Sequence, residues 1–385
     1  MPLNGNQINK DSMHARTIQY RGRKGWELDN GKLKLVMLQG GGHLASITVQ
    51  DLPRVNPLWV PEWRGLEPWQ YKARDAKRFE SKLLASICGH NLCLGWFGGP
   101  SPAEARLGLG GHGEAPVARW RLVRKAVTKK SVALVCECDL PAAMMRLKRT
   151  IRLVRGSYSV NVREEIINLA CRDLPFTMCE HVTFGPPFLT KGVTLFDMSA
   201  TKGHTYPGTF GKPQRLKPDT SFCWPKGPGV HGEPVDLRMI GRDYKHSSDY
   251  SAQLMDPSSG TAWFSAVNPK LGLLVAYVWN RSDFPWVGNW EENFARKDSP
   301  WRGRSLTRGM EFANTPFPEG LQPAVERGKF QGVPTFRWIP ARGRLVMSYG
   351  IVMKRVDAAC KGVEAILRKG DGLEFRFKMT NESCV

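Results

Sequence analysis

The feature that most limits what this chain can fold into is a strand-length alternation of apolar and polar residues that recurs along most of its length. Clear instances are Lys32 to Leu38 (KLKLVML), His43 to Val49, Ala118 to Lys125, Ser131 to Cys138, Ala143 to Val154, Tyr158 to Asn168 and Phe176 to Phe184. The series continues with Thr261 to Val267, Leu273 to Trp279, Arg344 to Val352 and Leu373 to Lys378. A period of two sends successive side chains to opposite faces of a sheet. Most of these segments are bounded by Gly, Pro, Asn or Asp, as strands joined by hairpins are. Few helical patterns separate them, so the spacing predicts an all-β antiparallel sandwich rather than βαβ units. The helical signals are Asp357 to Lys369 and the shorter Ala73 to Leu84. In the first, Ala359, Cys360, Val363, Ile366 and Leu367 share one helical face, with Asp357 as cap and Gly370 as stop.

Two stretches read as long loops, Ser199 to Val235 and Ser282 to Gly320. Both carry aromatic residues, which argues against simple linkers, and long loops within a compact domain are more often functional than idle. No internal repeat and no break in composition divides the chain. With 41% hydrophobic residues it can bury one large core. The expected organisation is an N-terminal extension over 1–24, a β domain over 25–355 and a helix–strand appendage over 356–385.

The formal net charge is +21, which favours anionic partners in principle. The basic residues are nevertheless spread along the chain. The densest run, Arg146 to Arg155 (RLKRTIRLVR), interleaves them with Leu147, Ile151 and Leu153, the pattern of a strand with one wet basic face. No zinc-finger, basic-zipper or RNA-binding signature accompanies it, so a solvated basic surface is expected and a nucleic-acid partner is not. The nine cysteines are scattered and form no CxxC pair. Cys136 and Cys138 share a strand face, and the pattern suits free thiols in a reducing compartment. The first residues lack an apolar signal core, and no run of about 18 apolar residues would cross a membrane. The expected location is cytoplasmic.

Three separated segments hold acid or base residues in settings framed by Gly or Pro. They are Gly110-Gly111-His112-Gly113-Glu114, Cys179-Glu180-His181-Val182-Thr183-Phe184-Gly185, and Gly309-Met310-Glu311-Phe312 followed by Asn314-Thr315-Pro316. Glycines beside His112 let backbone approach a ligand closely. If Met178 and Glu180 face one side of a strand, Cys179, His181 and Thr183 face the other. Aromatic neighbours Phe312 and Phe317 can desolvate Glu311 and raise its pKa. Trp286, Trp290 and Trp301 can stack on sugar faces or anchor a loop. There is no HExxH, no Walker A, no nucleotide-binding glycine fingerprint and no Gly-x-Ser-x-Gly elbow. Glu291 and Glu292 are adjacent and point apart on an extended chain, so alone they make no glycosidase pair. Two histidines and a carboxylate suit proton transfer on a neutral, oxygen-rich molecule such as a sugar, which needs no metal.

In their order along the chain these segments resemble the aldose 1-epimerase (galactose mutarotase) superfamily, which includes hexose-6-phosphate epimerases. Asn30-Gly31-Lys32-Leu33 to Gly41-Gly42-His43-Leu44-Ala45-Ser46-Ile47 is similar to the family's first strands, turning at a Gly pair. Gly111-His112-Gly113 with Trp120 resembles its His-Gly segment. Ile166 to Asn168, then Pro175 and His181, resembles the strand pair ending in the catalytic histidine. Gly309-Met310-Glu311 with Thr315-Pro316 resembles the catalytic glutamate segment, and Phe336 to Ile351 the closing strands. The resemblance spans roughly residues 25 to 355.

It implies a large antiparallel β-supersandwich with few short helices, no cofactor, no metal, and a sugar or phosphosugar substrate for a monomer or homodimer. It implies that His181 is the general acid protonating the ring oxygen, Glu311 the base for the anomeric hydroxyl, and His112 a group that holds or polarises the ring oxygen. The family's usual arginine segment before the first histidine is replaced by Gly89-His90-Asn91-Leu92-Cys93-Leu94-Gly95, which puts His90 and Asn91 forward as sugar contacts. Arg119 and Trp290 are further substrate-binding candidates. For the family's aspartate, Asp243 and Asp249 both qualify, with Asp243 taken as the binding residue. The implied activity is anomer exchange. The alternatives are a carbohydrate-binding protein without catalysis on the same fold, and a glycoside hydrolase or lyase.

Overall fold

A computed structural model describes residues 13–370 and 372–379. Two large antiparallel sheets enclose one main apolar core. The first eight strands are β1 (His14–Tyr20), β2 (Arg23–Asp29), β3 (Leu33–Leu38), β4 (Leu44–Val49), β5 (His90–Gly95), β6 (Arg121–Val127), β7 (Ser131–Leu140) and β8 (Met145–Val154). Of these, β3, β4, β6, β7 and β8 fall on the period-two segments, whereas β1, β2 and β5 do not. Then come β9 (Ser159–Asn168), β10 (Leu174–Phe184), β11 (Leu195–Met198), β12 (Ala200–Thr205) and β13 (Ser221–Cys223). Two short strands, β14 (Lys226–Pro228) and β15 (Pro234–Asp236), pair with each other. The series resumes with β16 (Ser247–Met255), β17 (Thr261–Asn268), β18 (Leu273–Asn280), β19 (Trp286–Asn293) and β20 (Leu306–Ala313). It ends with β21 (Lys329–Phe330), β22 (Val333–Pro334), β23 (Arg337–Ile339), β24 (Arg344–Arg355), β25 (Cys360–Lys369) and β26 (Gly372–Met379).

The twelve-stranded sheet runs β1-β2-β3-β4-β5-β10-β20-β19-β16-β12-β13, with β23 on the far end of β10. The eight-stranded sheet runs β11-β17-β18-β24-β9-β8-β7-β6. Strand β8 shows how the pattern builds the core. Met145, Leu147, Ile151 and Leu153 are buried, while Arg146, Lys148, Thr150 and Arg152 alternate outward. The cations of the run other than Arg149 therefore make one wet strand face, as the spacing predicts, while Arg149 turns into the core. Cys136 and Cys138 both point into the core from β7. The expected domain boundary at residue 24 falls inside β2, and β1 and β2 pair within the main sheet. Among the described residues no helix is long and apolar enough to cross a membrane.

Three expectations are corrected here. Residues 360–369 form a strand, β25, not a helix. Its buried positions Cys360, Val363 and Ile366 are three apart because the β25–β26 hairpin shifts register between Cys360 and Val363 and again between Val363 and Ala365. Each bulge inserts an extra residue, and the result imitates helical spacing. The hairpin covers Trp263, Val267, Leu274, Ala276 and Val278 on the outer face of the eight-stranded sheet. The stretch from 282 to 320 is likewise not one loop. It holds β19 and β20, two central strands whose residues are all buried. The second helix candidate breaks into short pieces, Ala73–Asp75, Ala76–Phe79 and Lys82–Ser86, with Glu80 at φ 63° and Ser81 capping the last.

The core also holds charge. Arg149 donates from Nε to Glu164 (2.5 Å) and from Nη1 to the Gly42 carbonyl (2.8 Å), and its Nη2 lies 3.7 Å from Glu180. Tyr349 and His90 donate to the same Glu180 oxygen at 3.3 and 2.7 Å. One guanidinium thus faces two carboxyls in full burial. Burial pushes both Glu164 and Glu180 upward while Arg149 opposes it, and the charge of Glu180 adds to the rise at Glu164. A second buried cluster joins Arg215 to Asp249 (2.8 Å) and to Glu291 (2.8 Å), and Arg308 to Glu291 (3.2 Å). It ties the segment between β12 and β16 to the main sheet.

Candidate active site

Strand β10 lies mid-sheet, with β5 on one side and β20 on the other. Phe176, Met178, Val182 and Phe184 enter the core from one face of β10. Thr177, Cys179, His181 and Thr183 therefore occupy the opposite face. Register then places Asn91 and Glu311 directly beside His181, on β5 and β20 respectively. Directly opposite residues on antiparallel strands bring their side chains together. His181 Nε2 lies 3.1 Å from Glu311 Oε1, and His181 Nδ1 lies 3.1 Å from Thr183 Oγ1.

His112 reaches the same spot from a loop. It adopts φ 65°, a left-handed conformation, and its N–H donates to the Gly98 carbonyl at 2.7 Å. Next to it Gly113 has φ 75°, and a Cβ there would sit 2.3 Å from the Leu94 carbonyl oxygen. Only glycine lets the loop press this close to β5. The His112 and His181 rings lie 5.4 Å apart at 81°. Cys93 Sγ sits 3.4 Å from His112 Nδ1, which leaves Nε2 to face the cavity that His112 lines. Glu114, also in the glycine segment, accepts from the Ala143 N–H at 2.9 Å and anchors the loop to the β7–β8 turn.

The three residues line one cavity of about 840 Å³, together with Trp290, Trp301, Arg296 and Arg119. That is within the usual size of a small-molecule site. Trp290 stands 5.9 Å from His181 and edge-on to Trp301, which stacks on Trp59 at 5.4 Å. Arg296 lies over the rings of Trp290 and Trp301 at 5.4 and 5.0 Å and pairs with Glu292 at 3.3 Å. Burial dominates the titration of the central pair. It pushes the Glu311 carboxyl well above the usual carboxylate range, with the Cys93 sulfur adding and Arg296 opposing. It drives His181 well below the usual imidazole range, with the charge of His112 acting the same way. The two shifts are opposite in direction, so burial favours the uncharged form of each group.

Of the residues expected from sequence, His181, Glu311, His112, Trp290 and Arg119 share the cavity. Arg119 is exposed and stacks on Trp69 at 4.9 Å. Asn91 lies buried beside His181, and its amide nitrogen has no hydrogen-bond partner among the described residues. His90 is a correction. It faces the core with no exposure and bonds Glu180, because strand parity puts it on the side opposite Asn91. Asp243 is a second correction, being exposed and outside the cavity lining. Asp249, the other candidate, is buried against Arg215. Sequence reasoning missed Cys93, Gly309 and Arg296. Gly309 has a readable role, since a Cβ there would fall 2.4 Å from Glu311 Oε1 and 3.1 Å from the Trp290 Cβ. Its signal was its place two residues before the glutamate on the same strand face.

No family model matches the chain, and no curated protein matches it. Solved structures do. One is described as a candidate aldose 1-epimerase from Klebsiella pneumoniae subsp. pneumoniae, with TM-score 0.62 and 13% identity, covering 88% of this chain and 81% of that one. Another is a galactose mutarotase-like protein from Clostridium acetobutylicum, with TM-score 0.61 and 13% identity, covering 90% and 100%. A third is a galactose mutarotase related enzyme from Lactobacillus acidophilus, with TM-score 0.54 and 12% identity, covering 89% and 98%. Identity this low speaks to architecture alone, and on that evidence the chain has the fold of the galactose mutarotase-like proteins.

Proposed function

We propose that the cavity binds a sugar ring and exchanges its anomers by proton transfer through His181, Glu311 and His112. The observation that carries this reading is the His181–Glu311 contact of 3.1 Å, with His112 on the same wall. Anomer exchange removes a proton from the anomeric hydroxyl, O1, while adding one to the ring oxygen, and then reverses both. The two oxygens share one carbon, so two adjacent proton-exchanging groups can serve both. Burial stores the pair's proton on Glu311. Moving it across to His181 leaves a carboxylate that takes the O1 proton and an imidazolium that supplies the ring oxygen. A proton passes directly between groups held within hydrogen-bond reach of each other. With Nδ1 held by Cys93, the Nε2–H of His112 is the donor that steadies the ring oxygen as the ring opens.

Trp290, edge-on to His181, gives the cavity an apolar wall that suits the C–H groups of a pyranose. The cations Arg119 and Lys82, both exposed at this cavity, suit an anionic substituent such as a phosphate. The test is saturation-transfer NMR over free and phosphorylated sugars. His181→Asn and Glu311→Gln are each expected to lower exchange by roughly 10²- to 10⁴-fold while sugar binding persists. Exchange at the wild-type rate in both variants would overturn the catalytic reading and leave a carbohydrate-binding protein.

A further inference from the structure

Behind His112, on the same sheet, lie two cysteines that exchange no proton with the sugar in the proposed reaction. Cys93 on β5 and Cys179 on β10 are direct register partners. Both are fully buried, in a small cluster with Phe97 and Ala313. They share the face that holds His181, since Asn91 and His181 are the next register pair two residues along. Opposed residues on antiparallel strands hold their Cβ atoms about 4.5–5.5 Å apart, close to what a disulfide spans. The two are free thiols in this structure.

We propose that Cys93 and Cys179 are a redox-active pair that closes to a disulfide across β5 and β10 when a hydroperoxide reaches the cavity. His112 is the reason that Cys93 starts the reaction. Its Nδ1 lies 3.4 Å from Cys93 Sγ and its ring lines the cavity, so it takes the thiol proton and gives a small oxidant its approach. Although burial opposes ionisation, hydrogen bonds from Cys179 and His112 and the charge of His112 bring the Cys93 thiol down to about 6, whereas the core thiol of Cys136 is pushed up to about 12 by burial. The Cys93 thiolate attacks the peroxide oxygen, the O–O bond breaks, and the leaving hydroxide takes up a proton to become water. The resulting sulfenic acid is attacked by Cys179, the S–S bond forms, the S–O bond breaks, and a second water leaves. Two electrons pass from the sulfurs to one hydrogen peroxide. Closure removes the Cys93 contact that holds His112 Nδ1.

The test uses the full chain with the exposed Cys171 and Cys223 changed to Ser, treated with graded hydrogen peroxide and then alkylated in denaturant. Peptide mass mapping is expected to find a Cys93–Cys179 disulfide, reversed by dithiothreitol, with Cys136 and Cys138 still alkylated as internal controls. His112→Asn should slow closure about tenfold. Cys179→Ser should divert Cys93 to sulfinic acid. Cys93 and Cys179 both remaining alkylatable while peroxide consumes other sites would overturn the pairing. So would closure at an unchanged rate in His112→Asn. The expected functional effect, a reversible fall in anomer exchange of tenfold or more, rests on the proposed function. If the reduced protein exchanges no sugar, that reading fails while the disulfide result stands on its own.

Discussion

Glu311 is held by what its neighbours lack as much as by what they offer. Gly309 clears the volume its carboxylate occupies, and His181 faces it at 3.1 Å. Gly309→Ala is therefore expected to displace the carboxylate and lower anomer exchange at least tenfold, with the circular dichroism of the sheet unchanged; full activity would remove Gly309 from the account. The titration of Glu311 gives a second test. Its folded carboxyl keeps its proton well above the ordinary 4.5, so the stability it contributes is present below that value and is lost as pH rises toward the folded pKa. Glutamine cannot ionise. The stability of Glu311→Gln should gain on the wild type by about 1.4 kcal/mol per pH unit above 4.5, as read by denaturant unfolding at pH 5 and pH 7. A difference that does not change with pH would contradict the buried, protonated carboxyl. At this scale His112, His181 and Glu311 were legible because glycines and strand ends frame them. His90 was not, because parity alone separates a core residue from a groove residue, and one position reverses it.

Strands β19 and β20 carry Trp290 and Glu311, yet their sequence looks like loop. Gly288, Asn289, Glu291, Glu292 and Asn293 on β19 and Gly309 on β20 are poor strand formers. They persist in mid-sheet because both faces are covered and several of their polar groups have partners: Ser247 and Arg215 for Glu291, and the Ala295 and Arg296 N–H groups for Glu292. Tertiary context overrode local preference where the site needed polar groups. The β25–β26 hairpin failed in the other direction, its bulges copying a helical repeat. Ile366 is fully enclosed against the outer face of the eight-stranded sheet. Ile366→Ala is expected to cost about 2–5 kcal/mol in denaturant unfolding and to leave sugar exchange intact, since the hairpin and the cavity lie on different sheets. A loss of exchange without loss of stability would show that the hairpin reaches the site.

The sandwich as a whole was legible because its apolar faces repeat every second residue over eleven segments. The charges sealed inside it were not, since Arg149 sits in a run whose other cations face solvent. Its removal leaves two carboxyls buried without a counter-charge. Arg149→Met is expected to destabilise by about 3–5 kcal/mol, measured as a fall in Tm and unfolding midpoint; near-neutral behaviour would mean that both carboxyls are already uncharged. The two sheets thus hold a rigid floor on which β5, β10 and β20 set Asn91, His181 and Glu311 side by side. The most direct test of the central claim is saturation transfer between the α and β anomer resonances of free and phosphorylated hexoses with catalytic amounts of the protein. Transfer is expected for at least one sugar and is expected to be abolished in Glu311→Gln and His181→Asn. Transfer that persists in both variants, or none across the whole panel with the folded wild type, would contradict it.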